Sequence, residues 1–139
     1  MDYVTQRKRE MQTTLNVLEA YPESSIHLKP AEKSRTAAEL AMILAVEERV
    51  LKSILETGST NWNLLNYEAP SSMAEIISIW QQAVAENDAA LARMSAPAFQ
   101  KSVTFYGRQI ALGDALWFEL FDHIHHRGQF SVYIRLAGA

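Results

Sequence analysis

The stretch Thr36-Ala37-Ala38-Glu39-Leu40-Ala41-Met42-Ile43-Leu44-Ala45-Val46-Glu47-Glu48-Arg49-Val50-Leu51-Lys52-Ser53-Ile54-Leu55-Glu56-Thr57-Gly58 decides the fold. Thr36 and Glu39 have the spacing of a capping box, in which the threonine oxygen accepts the Glu39 amide and the Glu39 carboxylate reaches back to the Thr36 amide. Leu40, Ile43, Leu44, Val50, Leu51 and Ile54 then form one helical stripe, and Gly58 is a natural stop. A helix of this length with one apolar face needs other helices to cover it.

The flanking sequence supplies them. A first helix is expected from Val4 to Ala20, ending at Tyr21-Pro22 because proline disfavours a helical residue before it. Ser59 to Pro70, with Asn61, Asn63 and Asn66, reads as a loop packed over a bundle end. Ser72 and Glu75 have the spacing of a second capping box, opening a third helix to about Arg93. Met94 to Gly113 is long and broken by Pro97, and Val103 to Tyr106 within it reads as a short extended piece. Asp114 is the expected N-cap of a fourth helix ending near Leu136, roughly 35 Å long at ~1.5 Å per residue. Apolar residues on nearly every face of that helix predict a central, buried position. The expectation is all-α: a four-helix up-down bundle with long crossover connections, residues 1–139 forming one domain.

Candidate chemistry lies where polar residues interrupt these faces. At ~100° per residue, Glu119, Asp122, His126, Gln129 and Tyr133 fall on one side of the fourth helix. Enclosed polar groups need partners, which are each other, another helix or an ion. Asp122 and His126 are four apart, a spacing suited to a hydrogen-bonded pair or to two ligands of one metal. Glu47 sits in the middle of the apolar stripe of the second helix. It either pairs with an arginine such as Arg49 or Arg127, reaches water, or supplies a third ligand. The candidate metal set is therefore Glu47, Asp122 and His126, with His123 and Glu48 as secondary candidates. Tyr133 and Gln129 are candidates for orienting a substrate.

Composition closes other routes. The chain has no cysteine, so disulfides, thiolate metal sites and a cysteine nucleophile are excluded. A net charge of −3 without a basic stripe gives no electrostatic case for nucleic acid, and Arg7-Lys8-Arg9 reads as part of a solvated helix face. No signal-peptide core or membrane span is expected, and the anticipated location is cytoplasmic.

The segment His125-His126-Arg127-Gly128-Gln129, followed by Tyr133-Ile134-Arg135, resembles the C-terminal signature of DinB-like proteins, related to the YfiT group. Arg35 to Ala41 also looks like that family. The resemblance implies a four-helix bundle, often a homodimer, that holds a divalent ion such as zinc or nickel through three histidines. One histidine is on the second helix and two are on the fourth, in an H-x-x-x-H arrangement. It further implies thiol-dependent transferases, isomerases or hydrolase-like enzymes. His126 matches the second histidine of that pair. Asp122 stands where the first would be, and Ile43 stands at the second-helix position. Glu47, one turn later, is the expected substitute, giving a more anionic site suited to manganese, iron or zinc. The implied function is a metal-dependent hydrolase or thiol-dependent transferase using a small-molecule or thiol cosubstrate. The alternative is a non-catalytic dimeric bundle that has lost the metal and binds a ligand or partner.

Overall fold

The computed structural model describes residues 2–139. Four helices carry the fold: α1 (Tyr3–Glu19), α2 (Ala37–Thr57), α3 (Met73–Ala92) and α4 (Leu112–Leu136). Two short strands, β1 (Ser102–Phe105) and β2 (Arg108–Ala111), form an antiparallel hairpin with Ser102 opposite Ala111.

Local chemistry sets the helix ends. Asp2 caps α1 by accepting from the Thr5 amide at 2.9 Å. The capping box at Thr36 and Glu39 is formed in both directions, and Gly58 ends α2 in the left-handed region at φ 77°. Ser72 caps α3 through the Glu75 amide, and a second acceptor comes from elsewhere: Glu23 accepts from the Ala74 amide at 2.9 Å. Asp114 is not the N-cap of α4. The chain passes straight from β2 into the helix at Leu112, whose amide donates to the Lys101 carbonyl at 2.8 Å. Asp114 lies instead in the first turn, where its charge complements the helix dipole.

The helices run up, down, down, up. Both α2 and α3 begin beside the first connector, through Ala38 donating to the Ile26 carbonyl and Ala74 donating to Glu23. Near the start of α1, Arg7 reaches Glu48, midway along α2, and Asp88, late in α3. α4 runs parallel to α1, with Thr14 beside His123 and Tyr21 against Phe130. Since α2 and α3 are parallel, residues 58–72 do not cap a bundle end as expected. They return along the bundle, from Thr60 paired with Thr104 to Tyr67 donating to the Glu39 carbonyl.

Burial is distributed differently from expectation. Leu40 through Glu48 on α2 are buried without a break, because α3, α4, the returning segment and the hairpin surround that helix. α4 is covered on one side only, leaving Phe118, Phe121, Val132 and Leu136 between 53% and 58% exposed. The central helix is thus α2, not α4. Arg7 likewise departs from the solvated-face reading. It is 1% exposed and forms a two-pronged pair with Glu48 at 2.9 and 2.7 Å.

The extended reading of Val103 to Tyr106 captures β1 but not β2. Tyr106 and Gly107, at φ 48° and 81°, make the two-residue turn that positive φ at both positions defines. The hairpin is fixed to the end of α2 through the Thr104 amide, which donates to the Gly58 carbonyl at 2.8 Å. That attachment places Phe105 and Tyr106 beside the middle of α4.

Candidate metal centre

α2 and α4 cross where each carries its polar residues. Oε1 of Glu47 meets Nδ1 of His126 in a short contact, and Oδ2 of Asp122 lies 3.5 Å from the same nitrogen. Ligand atoms of Glu47, Asp122 and His126 all fall within 4.8 Å of one another. The geometry brings the three primary candidates together, two from the i, i+4 pair on α4 and one from the interrupted stripe on α2. Asp122 is the outermost, with its side chain 59% exposed.

The secondary candidates separate. Glu48 is no free ligand: both its oxygens accept from Arg7, and Oε2 also accepts from Asn87 at 2.8 Å. Its charge is matched and its lone pairs are used. His123 is entirely buried, with Nδ1 turned toward Oε2 of Glu47 at 3.9 Å. Its other nitrogen, Nε2, is 2.7 Å from the Thr14 hydroxyl. Arg127 donates to that hydroxyl at 3.3 Å and pairs with Glu10 at 2.7 Å. Beside His123 lies Glu119, 4% exposed, and ligand atoms of Glu47, Glu119 and His123 form a second group within 4.8 Å.

Several of these atoms are orphaned. Among the described residues, Oε2 of Glu47, both oxygens of Glu119 and Nδ1 of His123 are buried with no hydrogen-bond partner. Each such atom is costly to bury unless a proton or a cation satisfies it. Burial pushes the Glu47 carboxyl well above its usual range, and the nearby charges of Asp122 and Glu48 push it further. Burial does the same to Glu119, reinforced by Glu48 and Glu47. Burial lowers the His123 pKa to about 3, with Arg127 and Arg7 adding to the effect. His126 is also lowered, by burial. Without a cation, then, burial favours the protonated forms of Glu47 and Glu119 and the neutral forms of His123 and His126. A divalent ion would displace those protons and satisfy the same atoms, so the donor set fits such an ion. Carboxylate oxygen with imidazole nitrogen suits manganese, iron(II) or zinc.

Two clefts reach the centre. One, of about 390 Å³, is bounded by Glu47, Glu119 and Asp122 on one side and by Phe105, Tyr106 and Arg108 of the hairpin on the other. The second, of about 280 Å³, reaches Glu47, Asp122 and His126 past Arg35, Leu65 and Tyr67. Burial together with the charges of Glu47 and Asp122 raises the Tyr106 phenol to about 12, so it remains a proton donor at neutral pH. Gln129 and Tyr133 are elsewhere. They line a separate groove of about 690 Å³ with Lys33 and Arg35, and the Tyr133 hydroxyl donates to the Arg35 carbonyl at 2.8 Å. The polar stripe of α4 divides because α2 passes across it. Its first half faces Glu47 and its second half faces the start of α2. Tyr106, Arg35 and Arg108 escaped the sequence reading because they come from connecting segments. Glu119 was visible in the stripe, one turn before His123, without being named as a ligand.

A bundle with a carboxylate–histidine centre between its second and fourth helices defines the class. The DinB family model matches residues 2–139, and the chain belongs to the DinB family. Among solved structures, a DinB-like protein from Bacillus cereus superposes with a TM-score of 0.86 at 21% identity, covering 98% of this chain and 91% of that one. A DinB-like protein from Bacillus subtilis gives 0.72 at 19% identity, covering 91% and 84%. A mycothiol-dependent maleylpyruvate isomerase gives 0.67 at 18% identity, covering 89% of this chain and 57% of that longer one. No curated protein matches the chain.

Proposed function

We propose that this chain is a divalent-metal-dependent enzyme, a hydrolase or thiol-dependent transferase, with Glu47, Asp122 and His126 as the ligands. The observation that carries this reading is the convergence of those three side chains at the mouths of two clefts, with an unsatisfied oxygen on Glu47. Manganese, zinc, iron or nickel would supply Lewis acidity, making water or a thiol nucleophilic at neutral pH. The side chains divide the remaining work. Tyr106 keeps its proton and donates a hydrogen bond to the substrate. Arg108 in one cleft and Arg35 in the other favour a substrate bearing an anionic group. Phe105 and Ile110 keep water from the apolar wall. The structural neighbour named as a mycothiol-dependent isomerase lends support to the thiol branch.

The test is metal analysis of protein purified without an affinity tag, followed by thermal melting with added manganese, zinc or nickel. Bound metal and a raised melting temperature are expected. No metal and no shift would refute the reading.

One observation favours a second role. Phe118, Phe121, Val132 and Leu136 are exposed and fall within about 60° of one another around α4 at ~100° per residue. Such a stripe suits a second copy of the chain packed α4 to α4. In the non-catalytic version of this reading, the dimer is the function and the His126 contacts are structural. Sedimentation should then show a dimer that Phe121→Glu dissociates, and His126→Ala should destabilise metal-free protein. No helix among the described residues is long and apolar enough to cross a membrane.

A further inference from the structure

We infer that Glu47 serves two cations at once, and that Glu119 and His123 complete a second, deeper divalent-cation site beneath the one proposed above. The inference rests on that reading for the outer ion, and adds an inner one.

Three observations carry it. Glu47 presents its two oxygens to different histidines, Oε1 to His126 and Oε2 to His123. That is the arrangement of a bridging carboxylate. The inner atoms also do not satisfy one another. Nδ1 of His123 and Oε2 of Glu47 are 3.9 Å apart, too far for a hydrogen bond. Two ligands of one ion, each ~2.1 Å from it, lie roughly 3.0 to 4.2 Å apart, which includes this spacing. Finally, the inner side chains are buried, and among the described residues their facing atoms are all without partners: both Glu119 oxygens, Oε2 of Glu47 and Nδ1 of His123. Glu48, on the same helix, shows how this fold satisfies a buried carboxylate when the purpose is structural. It supplies Arg7 and Asn87.

The surroundings of His123 suit a ligand. A histidine that coordinates through one nitrogen commonly donates from the other to a fixed acceptor. Nε2 faces the Thr14 hydroxyl, whose two lone pairs accommodate both this N–H and the Arg127 guanidinium. Arg127 is held in turn by Glu10. With Nε2 as the donor to Thr14, Nδ1 carries no proton and is aimed at Glu47. A paired, oxygen-rich centre stabilises both the attacking and the leaving oxygen of a displacement. It therefore narrows the proposed chemistry to hydrolysis of an ester or phosphoester in preference to thiol transfer.

The test is reconstitution of stripped, untagged protein with manganese(II), then metal counting by plasma mass spectrometry and electron paramagnetic resonance. Glu119→Gln and Asp122→Asn are compared with the unaltered chain, and metal-free melting verifies that each folds. Two ions per chain with a spin-coupled spectrum are expected for the unaltered protein. One ion and an uncoupled spectrum are expected for Glu119→Gln. A single ion that survives Glu119→Gln but is lost in Asp122→Asn would overturn the inner site and leave the outer one standing. A single ion with the opposite dependence would keep the inner site and overturn the outer ligands. No bound manganese in the unaltered chain would overturn both. Two ions, or none, in the unaltered protein decides the matter even if a variant is unstable.

Discussion

Glu47 and Glu48 are neighbours on α2, both buried, and the protein treats them in opposite ways. Glu48 has Arg7 on both oxygens and Asn87 on one, a closed set of partners drawn from α1 and α3. Glu47 faces α4, where it meets two histidines and two further acids and keeps one oxygen without any partner. A cation built into the chain satisfies the first. Among the described residues the second has no ion pair with a lysine or arginine, and the charges of Asp122 and Glu48 oppose its own. Buried charge alone therefore does not mark a site. The mark is buried charge whose compensation is missing from the polypeptide.

The largest effect should come from breaking the closed side. Arg7→Met leaves Glu48 charged and unpaired, and should cost about 3–5 kcal/mol in urea unfolding. Metal binding by the folded fraction should be unchanged. A loss under ~1 kcal/mol would erase the contrast between the two acids.

The open side should respond in the reverse sense. Glu47→Gln mimics the neutral carboxyl that burial favours when no metal is bound, so metal-free protein should be as stable as the unaltered chain, or more so. The variant should also lose the stabilisation that metal confers, about 2.7 kcal/mol at a hundredfold excess over Kd. A Glu47→Gln variant still stabilised by metal would remove Glu47 from the centre.

The contrast also has a pH signature. The folded-state pKa values of Glu47 and Glu119 are raised, so their contribution to stability is complete below about 4.5 and is lost as pH climbs through the raised values. His123 acts on the other limb. Its pKa falls from 6.5 to about 3, so its contribution is complete above 6.5 and is lost as pH falls toward 3. Above 6.5 only the carboxylates still act, so metal-free protein should lose stability with rising pH until their raised values are passed. Metal should abolish that decline, because it stabilises the ionised forms. Melting temperatures across pH 5 to about 9, with and without manganese, measure both.

The smallest effect tests the support beneath the inner ligand. Thr14→Val preserves shape but removes the oxygen opposite Nε2 of His123. It should weaken metal binding about tenfold by calorimetry, the lower end for losing an outer partner of a histidine ligand.

How much of this was legible in the sequence depended on range. The ends of α2 were readable because a capping box and a terminal glycine act within a few residues. Glu47 was readable because a single acid in an apolar stripe is conspicuous. The role of Arg7 was not, since its partner lies 41 positions away and a basic triplet looks like solvated surface. Helix α4 misled for a different reason. Apolar residues on every face are equally compatible with full burial and with one covered face plus an exposed stripe at Phe118, Phe121, Val132 and Leu136. Gln129 and Tyr133 share the stripe of His126, but periodicity does not report where α2 crosses, and that crossing divides the stripe. The β2 strand, Arg108-Gln109-Ile110-Ala111, carries weak strand character, and Tyr106-Gly107 lacks the Asn-Gly pattern that advertises such a turn.

The most direct test of the Glu47 centre is anomalous diffraction from crystals of manganese-loaded protein. An anomalous peak bonded to Glu47, with Asp122 and His126 around it, is the predicted result. A map with no peak there, and Glu47 still bonded directly to His126 at saturating manganese, would contradict the account.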